Sequence, residues 1–300
     1  MSNACIGLDL GGTQIKGVVV TGAGDVLRRE TRPTNDDGTA LRMWAGVARK
    51  LADDLGSDLP VGLSAPGLAA RDGRSIACQP NRLLGLEGLD WTDLLGRGRF
   101  VPVANDAHSA LAGEVWIGAA RGLQNAILLT LGTGVGGAIL ADGKILRGHL
   151  GRAGHLGHTC LDIHGPPSIV GTPGALEHFI GNHNIAARTN GRFATTHQLV
   201  AAYSGGDSEA ARFWIASIHA LACAIASFVN ILDPEAVIIG GGIAQAGDAL
   251  FEPLHTELAR IEWRPAGQAV RLLPAMLGEW AGAIGAARAA MLAADAHQNP

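Results

Sequence analysis

The sequence is short of charge. Asp, Glu, Lys and Arg make up 17% of its 300 residues, against about 25% in an average globular protein. With 47% hydrophobic residues, such a chain is not disordered. It has no excess of positive charge either. Its 23 Lys and Arg against 27 Asp and Glu leave a net −4, so no global basic field draws it to nucleic acid or to a membrane surface. Cysteine is scarce and scattered: Cys5, Cys78, Cys160 and Cys223 form no CxxC pair, which excludes a disulfide framework and a zinc ribbon. The opening MSNACIGLDL has no basic n-region and breaks its apolar run at Gly7, so it does not read as a signal peptide. No apolar stretch reads as a membrane span. These absences describe a soluble cytoplasmic protein, of about two domains at the usual ~150 residues each.

Glycine, by contrast, is abundant: 43 residues, about twice the usual ~7%. It is clustered, with no three-residue period, which excludes collagen and suggests ligand-binding loops. Residues 5–13 read as a strand entering a tight glycine turn, and 16–20 and 26–31 complete a β-meander. Leu41, Trp44, Val47, Leu51 and Leu55 have helical spacing, predicting a helix over 37–56. A strand at 60–67 ends in Pro66-Gly67, and one at 100–104 delivers Asn105-Asp106 to a helix reaching Trp116. Residues 126–147 repeat the opening layout of strand, glycine turn and strand, hinting at two related halves, and Asp142-Gly143 is a hairpin signal. A Gly- and His-rich loop fills 148–174. A helix over 213–232 stops at Asp233-Pro234. The strand at 237–242 closes on three glycines, and an Ala-rich helix spans 280–294.

Three glycine elements close apolar strands: Asp9-Leu10-Gly11-Gly12-Thr13, the run 131–137 and Gly240-Gly241-Gly242-Ile243. Glycine lets backbone N–H groups approach an anion without a Cβ in the way. Thr13 and Thr133 add hydroxyls. Asp9 is an unexpected end to an apolar strand unless it serves a charge, such as Mg²⁺ held through water near phosphates. Any one of these is explained as a plain turn; three together with hydroxyls and an acid point to phosphate binding. Gly132, Gly134 and Gly137 also match a dinucleotide fingerprint, but they run into a strand instead of a helix, and 154–160 offers no acid.

In order and content, these motifs with Asn105-Asp106 resemble the ROK family (repressors, uncharacterised frames and sugar kinases), over essentially the whole chain. The resemblance implies an α/β, two-domain actin-like ATPase (ribonuclease H-like) fold with an interdomain cleft. Residues 1–116 plus 281–300 would form the small domain and 117–280 the large one, with the C-terminal helix returning to the first. It implies ATP-dependent phosphorylation of a hexose or hexose derivative at the 6-hydroxyl. ATP would be bound by Gly11, Gly12, Thr13, Lys16, Gly132, Thr133, Gly134, Gly241 and Gly242, and Mg²⁺ positioned by Asp9. Gly67, Asn105, Asp106, His155, His158 and Glu177 would bind sugar, with Asp106 the catalytic base. A strand-to-helix junction favours an ionised carboxylate there, although Asn105-Asp106 also suits simple helix capping. A homodimer is implied. The rivals are a sugar-binding member without catalysis, which intact Asp9 and Asp106 oppose, and a repressor, for which no helix-turn-helix is seen before Cys5.

The chain departs from the family at its sugar signature, Gly-Glu-Ile-Gly-His followed by Cys-x-Cys-Gly-x-x-Gly-Cys-Leu-Glu. Here the first part is Gly154-His155-Leu156-Gly157-His158, with histidine in place of glutamate. The three cysteine positions hold Ser168, Val170 and Ala175. Structural zinc needs about four N/S ligands, which Val170 and Ala175 cannot supply, so no zinc site is expected despite His149, Cys160, His164, His178 and His183 nearby. Pro166, Pro167, Pro173 and packing are expected to hold the loop instead. His155 offers one donor and one acceptor where a carboxylate accepts twice. This suits a hexose altered near C1–C3, or glucose held differently.

Overall fold

The computed structural model describes residues 4–36, 38, 42–79 and 83–298. The chain divides into two compact units. Unit 1 holds Met1–Gly122, Arg147–Ala153 and Met276–Pro300; unit 2 holds Leu123–Leu146 and Gly154–Ala275. Relative to the split expected at 116/117 and 280/281, residues 117–122, 147–153 and 276–280 fall in unit 1.

In unit 1, β1 (Cys5–Leu10), β2 (Gln14–Val20) and β3 (Val26–Pro33) form the expected antiparallel meander. After α1 (Met43–Leu55), β4 (Val61–Ala65) joins β1 in parallel. Leu41, part of the expected helical stripe, lies outside the described residues. A small hairpin of β5 (Leu68–Ala69) and β6 (Ile76–Cys78) and a short α2 (Trp91–Leu95) precede β7 (Val103–Asn105). β7 is parallel to β4 and runs directly into α3 (Asp106–Ile117). The sheet order is β3-β2-β1-β4-β7.

Unit 2 repeats this plan. β8 (Ala126–Leu131), β9 (Val135–Ala141) and β10 (Lys144–Ile145) form the meander. Then come α4 (Leu176–Ile180), α5 (Ile185–Arg188), α6 (Thr196–Ser204) and α7 (Ser208–Leu232). β11 (Ala236–Gly240) pairs in parallel with β8, and after α8 (Asp248–Ile261), β12 (Arg271–Pro274) pairs in parallel with β11. The order β10-β9-β8-β11-β12 matches unit 1 strand for strand, so the two halves hinted at by the repeated meander are present. α7 starts earlier than the sequence suggested because Asp207 caps it, accepting from Glu209 N and Ala210 N. Its 25 residues are long and apolar enough to cross a membrane, contrary to expectation. Trp214, Ile218, Leu221, Ile225 and Phe228 form a buried stripe at helical spacing in the core of unit 2.

The chain then returns to unit 1 as α9 (Ala281–Gln298). β1 is covered on both faces, which is why it reads as a continuous apolar run. Ile6, Leu8 and Leu10 pack with Trp44 and Leu51 on the α1 side. The alternate residues face α9: Cys5 meets Ala290 and Met291, Gly7 lies against Ala283 and Ala287, and Asp9 lies against Gly282. A side chain at Gly7 would collide with the helix backbone. The two-residue period of the strand thus carries Asp9 to the first turn of α9.

Candidate active site

Each unit carries a glycine turn between its first two strands, and both turns are tied down from behind. In unit 1, Thr34 donates its N–H to Thr13 O (2.9 Å) and its Oγ1–H to Gly11 O (2.6 Å). In unit 2, Asn182 N donates to Gly132 O (2.9 Å), and His183 donates both its N–H and its Nδ1–H to Thr133 O (2.9 Å each). The described peptide bonds include no cis bond. In a trans peptide the C=O of one residue and the N–H of the next point oppositely. Pinning Gly11, Gly132 and Thr133 carbonyls therefore turns the N–H groups of Gly12, Thr133 and Gly134 away from the clamps, the arrangement an oxyanion requires.

Asp9 is a half-buried carboxylate. Burial pushes its pKa up to about 6; the Ser64 hydroxyl, donating to Oδ1 at 2.6 Å, pulls it down, the charge of Asp106 raises it and Lys16 lowers it. Lys16 stands opposite Asp9 in the β1–β2 register, but its Nζ is 3.0 Å from Glu279 Oε2. The ammonium expected to hold phosphate is thus paired within unit 1.

Asn105 is buried and Asp106 exposed, at the end of β7 and start of α3. Asn105 Oδ1 accepts from Ala107 N (3.0 Å) and His108 N (3.2 Å), so it is the helix cap. Its Nδ2 donates to Gly67 O at 2.9 Å, leaving one N–H. Asp106 Oδ1 accepts from Ala107 N at 2.8 Å. Gly67 has φ +98, and a Cβ there would strike Cys78 O, so this contact with Asn105 needs glycine.

Unit 2 brings His155, His158 and Glu177 together. The rings of His155 and His158 stack with centroids 6.5 Å apart. His158 Nδ1 is 3.4 Å from the buried Glu177 Oε1, and Glu177 Oε2 lies against Gly134 of the phosphate turn. Burial pushes the Glu177 pKa up. The close approach of His158, with the charges of His183 and His178, outweighs this, and the net pKa is lowered.

Beside Gly132 and Thr133 opens a cavity of about 650 Å³. Gly242 lines it, but Gly241 does not. With φ +87, Gly241 packs on the Leu131 backbone, where a Cβ would collide. The cavity also takes Asn182, Thr195, Thr196, His197 and Gln245, none read from the sequence as site residues. A capping pattern was legible, since Thr195 Oγ1 accepts from Gln198 N. Nothing local marked the others.

The loop that departs from the family is held mainly by hydrogen bonds. Leu161 N and Asp162 N donate to Gly174 O (2.8 and 3.3 Å), Gly174 N to Pro166 O (2.9 Å) and Ser168 N to Thr172 O (2.8 Å). Asp162 Oδ1 accepts from His164 N at 2.9 Å. Of the prolines, Pro167 and Pro173 face each other across a single β-bridge. Among the described residues no group of three or more His, Cys, Asp or Glu is arranged to hold a metal ion.

Two five-stranded α/β units of identical strand order, each with a hydroxyl-bearing glycine turn, define an actin-like ATPase fold. The chain belongs to the ROK family, whose model matches residues 5–293. A glucokinase of Halalkalibacterium halodurans is 34% identical, covering 93% of this chain and 92% of its own. An N-acetylmannosamine kinase of Shigella boydii is 30% identical, covering 94% and 96%. A ROK family glucokinase from Streptomyces griseus, crystallised with glucose and AMPPNP, superposes with a TM-score of 0.78 at 27% identity, covering 95% of this chain and 98% of that one.

Proposed function

We propose that the chain transfers the γ-phosphoryl group of ATP to the 6-hydroxyl of a hexose or hexose derivative. It is a sugar kinase of the ROK family. The observation that carries the residue roles is the pair of clamped glycine turns, the second opening onto a nucleotide-sized cavity. Gly11, Gly12 and Thr13 in unit 1, and Gly132, Thr133 and Gly134 in unit 2, present N–H and hydroxyl donors to phosphates. Gly242 faces the nucleoside. Lys16 contributes only if Glu279, which is exposed, releases it.

Asp106 accepts the proton of the attacking hydroxyl. Phosphoryl transfer asks little more of a protein than a positioned base and stabilisation of the transferring charge. Asn105 offers its remaining N–H to a neighbouring sugar hydroxyl, and Gly67 shapes the backbone beside it. His158 and Glu177 bind the sugar through hydrogen bonds, and His155 tunes which sugar is accepted. Mg²⁺ suits Asp9, an all-oxygen donor whose facing ammonium, Lys16, is paired with Glu279. When bound, it would neutralise charge on the phosphates. Zinc has no part in this reading. A homodimer and a cytoplasmic location are included in the proposal, on the family resemblance.

The test is ADP release over a panel of hexoses, with Asp106→Asn beside the parent. Loss of a general base is worth roughly 10²–10⁴-fold and should fall in kcat with sugar binding retained. A variant keeping more than about a third of kcat would remove Asp106 from the role. A chain that binds sugar but releases no ADP would be the non-catalytic rival.

A further inference from the structure

Beside Asn105 lies a second cavity, of about 140 Å³, within unit 1. Its walls are Ala69, Ala70 and Ala104 with Gly148 and Gly151, which offer no polar side chain. Its buried polar members offer little more: Asn105 Oδ1 is taken by two backbone N–H groups and its Nδ2 keeps one N–H beyond Gly67 O, while His108 Nε2 is 2.9 Å from Ala153 O. The remaining lining residues are Arg71 and Arg147, both exposed. Among the described residues neither guanidinium has an acidic partner. Asp72, next to Arg71 in sequence, accepts from Arg74 N at 3.0 Å, and Asp106 does not line the cavity. The net charge of the lining is therefore positive and uncompensated.

Guanidinium has five donors and no acceptor. A sugar hydroxyl can accept from such a fork at one oxygen but leaves the fork's charge unmatched. A carboxylate or phosphate, which only accepts, is bound by the fork in two places. The space is several times the ~30 Å³ share of one water, enough for such a group. Since Asn105 directly precedes Asp106, a group here belongs to the sugar whose hydroxyl the base attends. We infer that the Arg71–Arg147 pocket receives an anionic substituent of the sugar, so that the substrate is a hexose derivative carrying a carboxylate or phosphate away from the phosphorylated hydroxyl. The inference rests on the sugar-kinase reading.

The experiment compares neutral sugars with their anionic derivatives: a 2-acetamido hexose with and without a 3-O-lactyl group, and glucose with and without a 1-phosphate. kcat/KM is measured for the parent chain, Arg71→Ala and Arg147→Ala, and sugar affinity by calorimetry without nucleotide. One anionic derivative should exceed its neutral parent by at least about tenfold, and each variant should cut that preference roughly 3- to 10-fold while moving the neutral sugar less than about threefold. Which derivative wins separates carboxylate from phosphate. Neutral sugars used as well as every anionic one, with both variants acting on all alike, would overturn the inference. So would inorganic phosphate alone binding as tightly as the sugar derivatives, since the pocket would then be a free-anion site. If no sugar is turned over but anionic derivatives still bind in an arginine-dependent way, the pocket stands and the kinase reading falls.

Discussion

Arg188 is the side chain on which the clamp of the second phosphate turn depends. Its Nη1 donates to Phe179 O and Ser217 Oγ, its Nη2 to Gly181 O (3.0 Å) and its Nε to Asn184 Oδ1 (3.0 Å). Burial pushes its pKa down to about 10. The two main-chain carbonyls flank the end of α4, and directly after Gly181 come Asn182 and His183, whose N–H groups hold Gly132 and Thr133. Arg188→Met keeps the volume and strands both carbonyls, at about 1–3 kcal/mol each. Relief of burying a charge offsets part of this, leaving a net loss of roughly 2–4 kcal/mol. For a unit of this size that lowers Tm by about 5–15 °C. With the carbonyls of 132 and 133 less firmly held, one or so amide–phosphate bond weakens. KM for ATP should then rise roughly 3- to 10-fold, while KM for sugar changes little. Arg188→Lys keeps the charge but lacks the planar fork, and should fall near the Met variant. Thermal unfolding and initial-rate kinetics at varied ATP and varied sugar measure this. A Met variant within about 2 °C of the parent, with KM for ATP unchanged, would refute the chain of contacts from Arg188 to the phosphate turn.

His155→Glu exchanges a mixed donor and acceptor for a double acceptor. It should move relative kcat/KM towards glucose and 2-acetamido hexoses by roughly 5- to 150-fold; an unchanged ranking in a folded variant would show that residue 155 does not read the sugar. Purified protein should carry well under one zinc per chain, and a chelator should leave Tm unmoved; stoichiometric zinc would redirect attention to His155, His158, Cys160 and their neighbours. Glu177 has a folded pKa below its ordinary 4.5, so the stability it contributes is complete above that value and lost as pH falls through the lower folded pKa. Glu177→Gln should flatten the acid limb of the stability profile, and an identical acid limb in both proteins would contradict the shift.

Local signals were legible in the sequence. The glycine turns with Thr13 and Thr133, the strand-to-helix junction at Asn105-Asp106 and the repeated meander each depend on neighbouring residues, through turn conformation, capping and strand alternation. Asp9 stood out because a charge ends an apolar strand. Tertiary structure decided what that charge meets: alternation along β1 turns Asp9 towards Gly282, more than 270 positions on. The membrane-length α7 is likewise a core helix because α4, α6, α8 and β11 bring it partners such as Leu176, Leu199, Leu254 and Val237. The clamps from Thr34, Asn182 and His183, the Arg188 support behind them and the cavity drawn from 132–133, 182, 195–201 and 242–246 all join distant segments. Sequence spacing encodes which face a residue takes within its own element. Which carbonyl it then reaches, and so which amides are left free for a phosphate, is fixed only when the elements pack.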